Sequence, residues 1–257
     1  VYAWRERGLI DAWNPRIAVV DADGVEQKAE STGRFVAVPG MSAICSEMAS
    51  ELPDCRFGWT VDAVQRKGRQ WILDARGGDS VTSDLLLLAI PPEQIRTLVS
   101  GTDVDDALAD VRMRPCWALM AVVDRPVFDG LDAAFVNSGP FSWLARQASR
   151  PGRPQSEAWV FHASPEWSEE HLEASPEEVG DRLLEAARAL PGAAKFEAGY
   201  ASAHRWRFAL AGKPLQEGAL WFDNRKLALA GDWCHGSRVE GAFLSGMAAA
   251  GHMMSAS

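Results

Sequence analysis

Hydrophobic positions change period several times along the chain, and each change marks a structural boundary. Phe57, Trp59, Val61 and Ala63 alternate with mostly polar neighbours. Period two puts every second side chain on one face of a strand. Lys67-Gly68 reverses the chain, Trp71 and Leu73 alternate again, and Gly77-Gly78 turns it once more, so a three-strand meander is expected. Residues 85–90 are apolar without alternation. Such a strand is expected at the centre of a parallel sheet, covered on both faces. Elsewhere the period is helical. Met41, Ile44, Met48 and Leu52 fall on one face behind Pro39-Gly40, and Pro91-Pro92-Glu93 opens a further helix. Ser175-Pro-Glu-Glu178 is a capping box, and Val179, Leu183, Leu184, Ala187 and Leu190 follow on one face until Pro191-Gly192.

Strands are expected at residues 16–21 before a turn at Asp23-Gly24, at 117–123, 157–163 and 196–207, and in a hairpin of Ala133–Val136 with Phe141–Arg146. With the helix after Ser175 they make an antiparallel sheet and its cover. Asp103, Asp105 and Asp106 read as an acidic loop. The fold class is therefore α/β plus α+β. The boundaries place one domain at residues 40–111 and 221–257, and a second at 1–39 and 112–220.

The final segment carries the clearest chemistry. Residues 227–230 form a short buried strand, Gly231 and Asp232 begin a turn, and Ser237-Arg-Val-Glu240 fits a capping box that starts a helix near Arg238. Gly241, Gly246 and Gly251 give that helix a small-residue face. Its N-terminus, worth about half a positive charge, suits an electron-rich edge. A flavin fits the description, because its N1–C2=O edge becomes negative on reduction. Asp232 could accept hydrogen bonds from ribityl hydroxyls. A tightly packed glycine helix with no ligand is the other reading of the same pattern.

Composition narrows the picture. A net charge of -9 argues against nucleic acid, which needs a basic face. Eleven Trp suit a large core or a pocket for a flat ring. Four isolated cysteines favour free thiols and a cytoplasmic setting. No apolar run reaches the roughly 18 residues of a membrane span. His162 and His171 lack metal-site spacing, so no metal is expected.

Four separated motifs together resemble one family. Ala230-Gly-Asp-Trp followed by Gly236-Ser-Arg-Val-Glu-Gly-Ala-Phe-Leu-Ser-Gly246 resembles the C-terminal FAD motif of the flavin amine oxidase superfamily. Pro39-Gly-Met-Ser-Ala-Ile44, Trp143-Leu-Ala-Arg-Gln-Ala-Ser-Arg-Pro151 and His204-Arg-Trp206 narrow the resemblance to bacterial renalases, over essentially the whole chain. The resemblance implies a Rossmann-like FAD domain and an antiparallel-sheet substrate domain of the p-hydroxybenzoate hydroxylase and amine oxidase kind, the latter covering the flavin. It implies non-covalent FAD held by Gly231, Asp232, Arg238, Val239, Glu240, Gly241 and Ala242, with Val61 at the adenine. It implies oxidation of a 2- or 6-dihydro isomer of NAD(P), a dihydronicotinamide dinucleotide, with O2 reduced to H2O2. His204 and Trp206 would stand at the substrate ring, and Trp143 and Arg146 at the pocket mouth, where Arg146 could meet a phosphate. A structural histidine, and a surface arginine beside a core tryptophan, are the alternative readings of these residues.

One departure stands out. No two glycines lie two apart, so no GxGxxG loop exists in the sequence. Val1-Tyr-Ala-Trp reads as the interior of a fold. The expectation is a chain without the family's first strand, phosphate loop and helix, and a sheet with an exposed apolar edge. The rival functions are a flavin amine oxidase acting on another substrate, and a truncated, non-catalytic remnant without FAD.

Overall fold

The computed structural model describes residues 1–27, 33–99 and 101–256, Thr102 in its backbone only. The first stretch holds α1 (Tyr2–Glu6), β1 (Ile10–Ala12), β2 (Ile17–Asp21), β3 (Gly24–Gln27), β4 (Phe35–Ala37) and α2 (Ala43–Ser50). Then come β5 (Val61–Lys67), β6 (Gln70–Ala75), β7 (Ser80–Ser83), β8 (Leu86–Leu88), α3 (Pro92–Leu98) and α4 (Thr102–Leu108). The third stretch is β9 (Met113–Val123), β10 (Ala133–Val136), β11 (Phe141–Arg146), β12 (Ala158–Ala163), α5 (Pro165–Glu170), α6 (Pro176–Arg188) and β13 (Ala198–Ala211). The chain finishes with β14 (Leu220–Phe222), β15 (Leu227–Leu229) and α7 (Val239–Ser255).

Two compact units divide these elements: Val1–Cys55 with Pro115–Trp206, and Arg56–Arg114 with Arg207–Ser257. The boundaries expected at residues 40 and 221 thus move to 56 and 207. Residues 40–55 go with the first unit because Ile44 of α2 packs on Ile10 and Ala37. Only Ile44 of the α2 apolar stripe is buried; Met41, Met48 and Leu52 are exposed.

The first unit is built on a seven-stranded sheet in the order β13-β9-β12-β11-β10-β2-β3. It is mixed rather than antiparallel, since β10 pairs parallel with β2 through Ala133↔Ile17 to Val136↔Val20. One face carries the main core, where Trp117, Leu119, Leu144, Trp159 and Phe161 meet Val179, Leu183 and Ala187 of α6. The start of α6 is set as its sequence predicts: the Ser175 hydroxyl accepts from the Glu178 N–H at 3.1 Å. The opposite face packs Ile17, Ala133, Ala145, Phe135 and Trp143 with Trp13 and Val36.

In the second unit β5, β6 and β7 form the expected antiparallel meander. Gly68, at φ +62°, supplies the left-handed residue between Lys67 and Gln70. A separate sheet has the order β14-β15-β8, with β15 and β8 parallel. Here the apolar run corrects its expectation: among the described residues β8 is an edge, and β15 is the centre. Leu86 and Leu88 are buried, whereas Leu87 is 37% exposed, so the run has one covered face. β15 sorts its side chains by size. Leu227 and Leu229 join Ile95, Val104 and Leu108 from α3 and α4, while Ala228 and Ala230 meet Ala249 of α7. The acidic cluster lies in α4 rather than in a loop, with Asp103 and Asp105 in its first turn, and Asp103 pairs with Arg225 at 2.9 Å. Carboxylates favour that end of a helix. Among the described residues no helix is long and apolar enough to cross a membrane.

Candidate functional site

The junction between β15 and α7 is shaped by close backbone approach. The Gly231 N–H donates to the hydroxyl of buried Ser245 at 3.0 Å. A Cβ on Gly231 would lie 2.3 Å from the Trp233 indole nitrogen, so only glycine fits there. The indole N–H itself donates to the Ile90 carbonyl at 3.1 Å. Asp232 accepts at its carbonyl from His235 at 3.1 Å and from Gly236 at 2.6 Å. Burial raises the Asp232 carboxyl above its ordinary value, against the opposing effect of the Trp233 N–H. The loop then presses on the helix: a Cβ on Gly241 would stand 2.0 Å from the Gly236 carbonyl oxygen.

The helix start differs from its sequence reading. Arg238 is the N-cap and no side chain caps it. Ser237 does not close a capping box, because its hydroxyl accepts from the Ala211 N–H at 2.8 Å. The first bond into the helix runs from the Ala242 N–H to the Arg238 carbonyl at 3.0 Å. Among the described residues the N–H groups of Val239, Glu240 and Gly241 have no acceptor. Three donors at the positive end of a 17-residue helix are therefore free for an electron-rich group.

A cleft of about 510 Å³ opens at this point. Arg238, Glu240 and Gly241 line it, together with Ala211, Pro214, His235, Gly236 and Ser237. The donor set and the space fit the planar, electron-rich edge of a flavin. Gly231, Asp232, Val239 and Ala242 belong to the same junction without lining the cleft. Val61 stands elsewhere in this unit, at the head of β5 opposite Ala75. Pro214 and Ala211 escaped the sequence reading because they come from a different stretch of chain. His235 lay inside the motif, but nothing in its spacing marked it.

The other expected residues lie in the first unit. His204 and Trp206 of β13 share a face, with ring centroids 4.6 Å apart at 69°, and both are exposed. That face is the one away from α6, since Ala203 is in the α6 core and Arg205 lies 5.5 Å over Trp117. Trp143 occupies the same side of the sheet, opposite His162 in register and 4.7 Å from Phe135. Between β13 and β11 stand β9 and β12, so His204 and Trp143 are at least about 14 Å apart across the sheet by strand spacing. Arg146 does not share the face. It alternates with Trp143, and its guanidinium grips both oxygens of Glu157, with Nε–Oε2 at 2.9 Å. That bond raises the Arg146 pKa, and the fork is already used.

The sequence profile described as flavin containing amine oxidoreductase matches residues 10–254. Solved structures with a similar fold include one assigned as a protoporphyrinogen oxidase from Exiguobacterium sp. 255-15, at 14% identity and a TM-score of 0.68, covering 87% of this chain and 53% of that one. A putrescine oxidase redesigned in its cofactor binding matches at 15% identity and a TM-score of 0.61, with 87% and 54% covered. The chain thus spans about half the length of these structures.

Proposed function

The chain belongs to the flavin containing amine oxidoreductase family, and on that premise we propose that it is a FAD-dependent oxidase of the renalase kind. Its substrate is a 2- or 6-dihydro isomer of NAD(P)H, which loses a hydride to become NAD(P)+ while O2 and a proton become H2O2. The observation that supports this most is the uncapped start of α7 facing a cleft, with the usual serine cap diverted to Ala211.

Val239, Glu240 and Gly241 would direct their N–H groups at the N1–C2=O edge of the ring, where negative charge develops. Gly241 keeps the wall free of a side chain. Asp232 would accept from ribityl hydroxyls, and Val61 would meet the adenine. Bound there, the flavin supplies the acceptor for the hydride and passes the electrons to O2. In the first unit His204 would hydrogen-bond the nicotinamide carboxamide, and Trp206 and Trp143 would offer ring faces to the substrate. Arg146 receives no ligand role, since Glu157 occupies its fork. Such chemistry asks the protein for positioning and field rather than for an acid–base pair.

A flavin amine oxidase with another substrate is the second reading, favoured by the family's own description. Anaerobic mixing separates the two. The purified chain, supplemented with FAD, is mixed with 2- and 6-dihydro-NAD(P) and, separately, with a panel of amines. Bleaching of the flavin band by the dihydronicotinamides alone supports the proposal. Bleaching by amines alone moves the assignment to the second reading. A protein that takes up no FAD overturns both.

A further inference from the structure

Two arginines in the first unit, Arg150 and Arg153, lie close enough on the side of the sheet away from α6 for their charges to oppose each other. Arg150 lays its guanidinium 5.0 Å over the Trp13 ring, and its Nη1 donates to Gln147 at 3.3 Å. Trp13 is itself fixed by the bond from its indole N–H to Ser149 at 3.1 Å. Arg153 has Nη1 just 3.3 Å from where a Cβ on Gly40 would stand.

Both Nε atoms are buried, and among the described residues they make no hydrogen bond and neither arginine forms an ion pair. Burial and the charge of Arg153 push the Arg150 pKa down. Burial and the charge of Arg150 do the same to His162, on the same side of the sheet. In a chain of net charge -9 such a concentration of unpaired cation is conspicuous. A half-buried guanidinium without a counter-charge is costly, and an oxoanion relieves that cost by accepting from its Nη–H groups.

We propose that Arg150 and Arg153 form an anion subsite for a diphosphate group. Its source, the pyrophosphate of a dinucleotide substrate, rests on the function proposed above. The stacking on Trp13 holds the Arg150 fork rigid before the ligand arrives, which lowers the ordering needed on binding.

Two measurements test it. Calorimetry with inorganic pyrophosphate on the full chain should show binding that R150Q and R153Q each weaken about tenfold, as expected for the loss of one charge-assisted pair. R150K, which keeps the charge but not the fork, should fall between, and R125Q at an exposed site should match the wild type. Equal pyrophosphate binding by every variant, or none by the wild type, overturns the subsite. In the kinetic arm, R150Q should raise the KM for a dihydro-NAD isomer about tenfold with kcat changed less than about twofold. The corresponding dihydronicotinamide riboside, without phosphate, should be unaffected, and an equal loss for both substrates also overturns the subsite. If no dihydronicotinamide reduces the flavin, the proposed function fails while pyrophosphate binding still judges the arginines.

Discussion

The Gly231 N–H and the Ser245 hydroxyl, 3.0 Å apart, fasten the end of β15 to the second turn of α7. Ser245 is fully buried, so no water replaces it. Ser245→Ala should leave the Gly231 donor unsatisfied and cost about 1–3 kcal/mol. Urea unfolding would read the loss as a lower midpoint at unchanged slope. A shift smaller than the fitting error would show that the junction does not depend on this bond.

Two glycines of α7 should respond in opposite directions. Gly241→Ala places a methyl 2.0 Å from the Gly236 carbonyl, so backbone must move, at about 1–3 kcal/mol. Gly246 faces open space, and Gly246→Ala should stabilise by about 0.5–1 kcal/mol through helix propensity alone. Thermal melts of the pair decide the matter, and equal effects would refute the tight packing of the first turn.

The cysteines should divide by reactivity. Cys45 and Cys55 are exposed, whereas Cys116 and Cys234 are buried. Burial pushes the Cys116 thiol up to about 11 and the Cys234 thiol up to about 12. Since the thiolate is the nucleophile, iodoacetamide at mildly alkaline pH should label the first pair alone. Mass spectrometry checks it, with urea releasing the second pair.

Stability should depend on pH through Asp132. Burial pushes its carboxyl up, but hydrogen bonds from the Arg16 side chain and backbone outweigh this and hold it below its ordinary 3.8. The unfolded chain then binds the proton more readily, so stability rises with pH across this window. The contribution is complete above 3.8 and drains away as the pH falls through the lower folded value. The gap in urea midpoint between wild type and Asp132→Asn should be largest near neutrality and close in acid. A gap independent of pH would mean that Asp132 acts through shape rather than charge.

Local signals in the sequence fared better than distant ones. The meander was readable because Gly68 and the alternation around it act within a few residues. The cap of α6 was readable because Ser175 and Glu178 are three apart. Ser237 misled because its partner, the Ala211 N–H, comes from another part of the chain. The parallel pairing of β10 with β2 joins segments more than a hundred residues apart, which no periodicity reports. An apolar run such as residues 85–90 says that a strand is buried but not on how many sides, and Leu87 of β8 is 37% exposed. Odd and even positions of β11 already put Arg146 and Trp143 on opposite faces.

The size sorting along β15 reaches beyond local packing. A slip of one residue would turn Leu227 and Leu229 toward α7, where the space admits only alanine, and leave alanines facing the helices on the other side. Both errors are penalised at once, by overlap on one side and by voids on the other. The strand therefore acts as a vernier with one allowed setting. Gly231 follows directly from it, so the position of the α7 donors is indexed by the difference in volume between leucine and alanine.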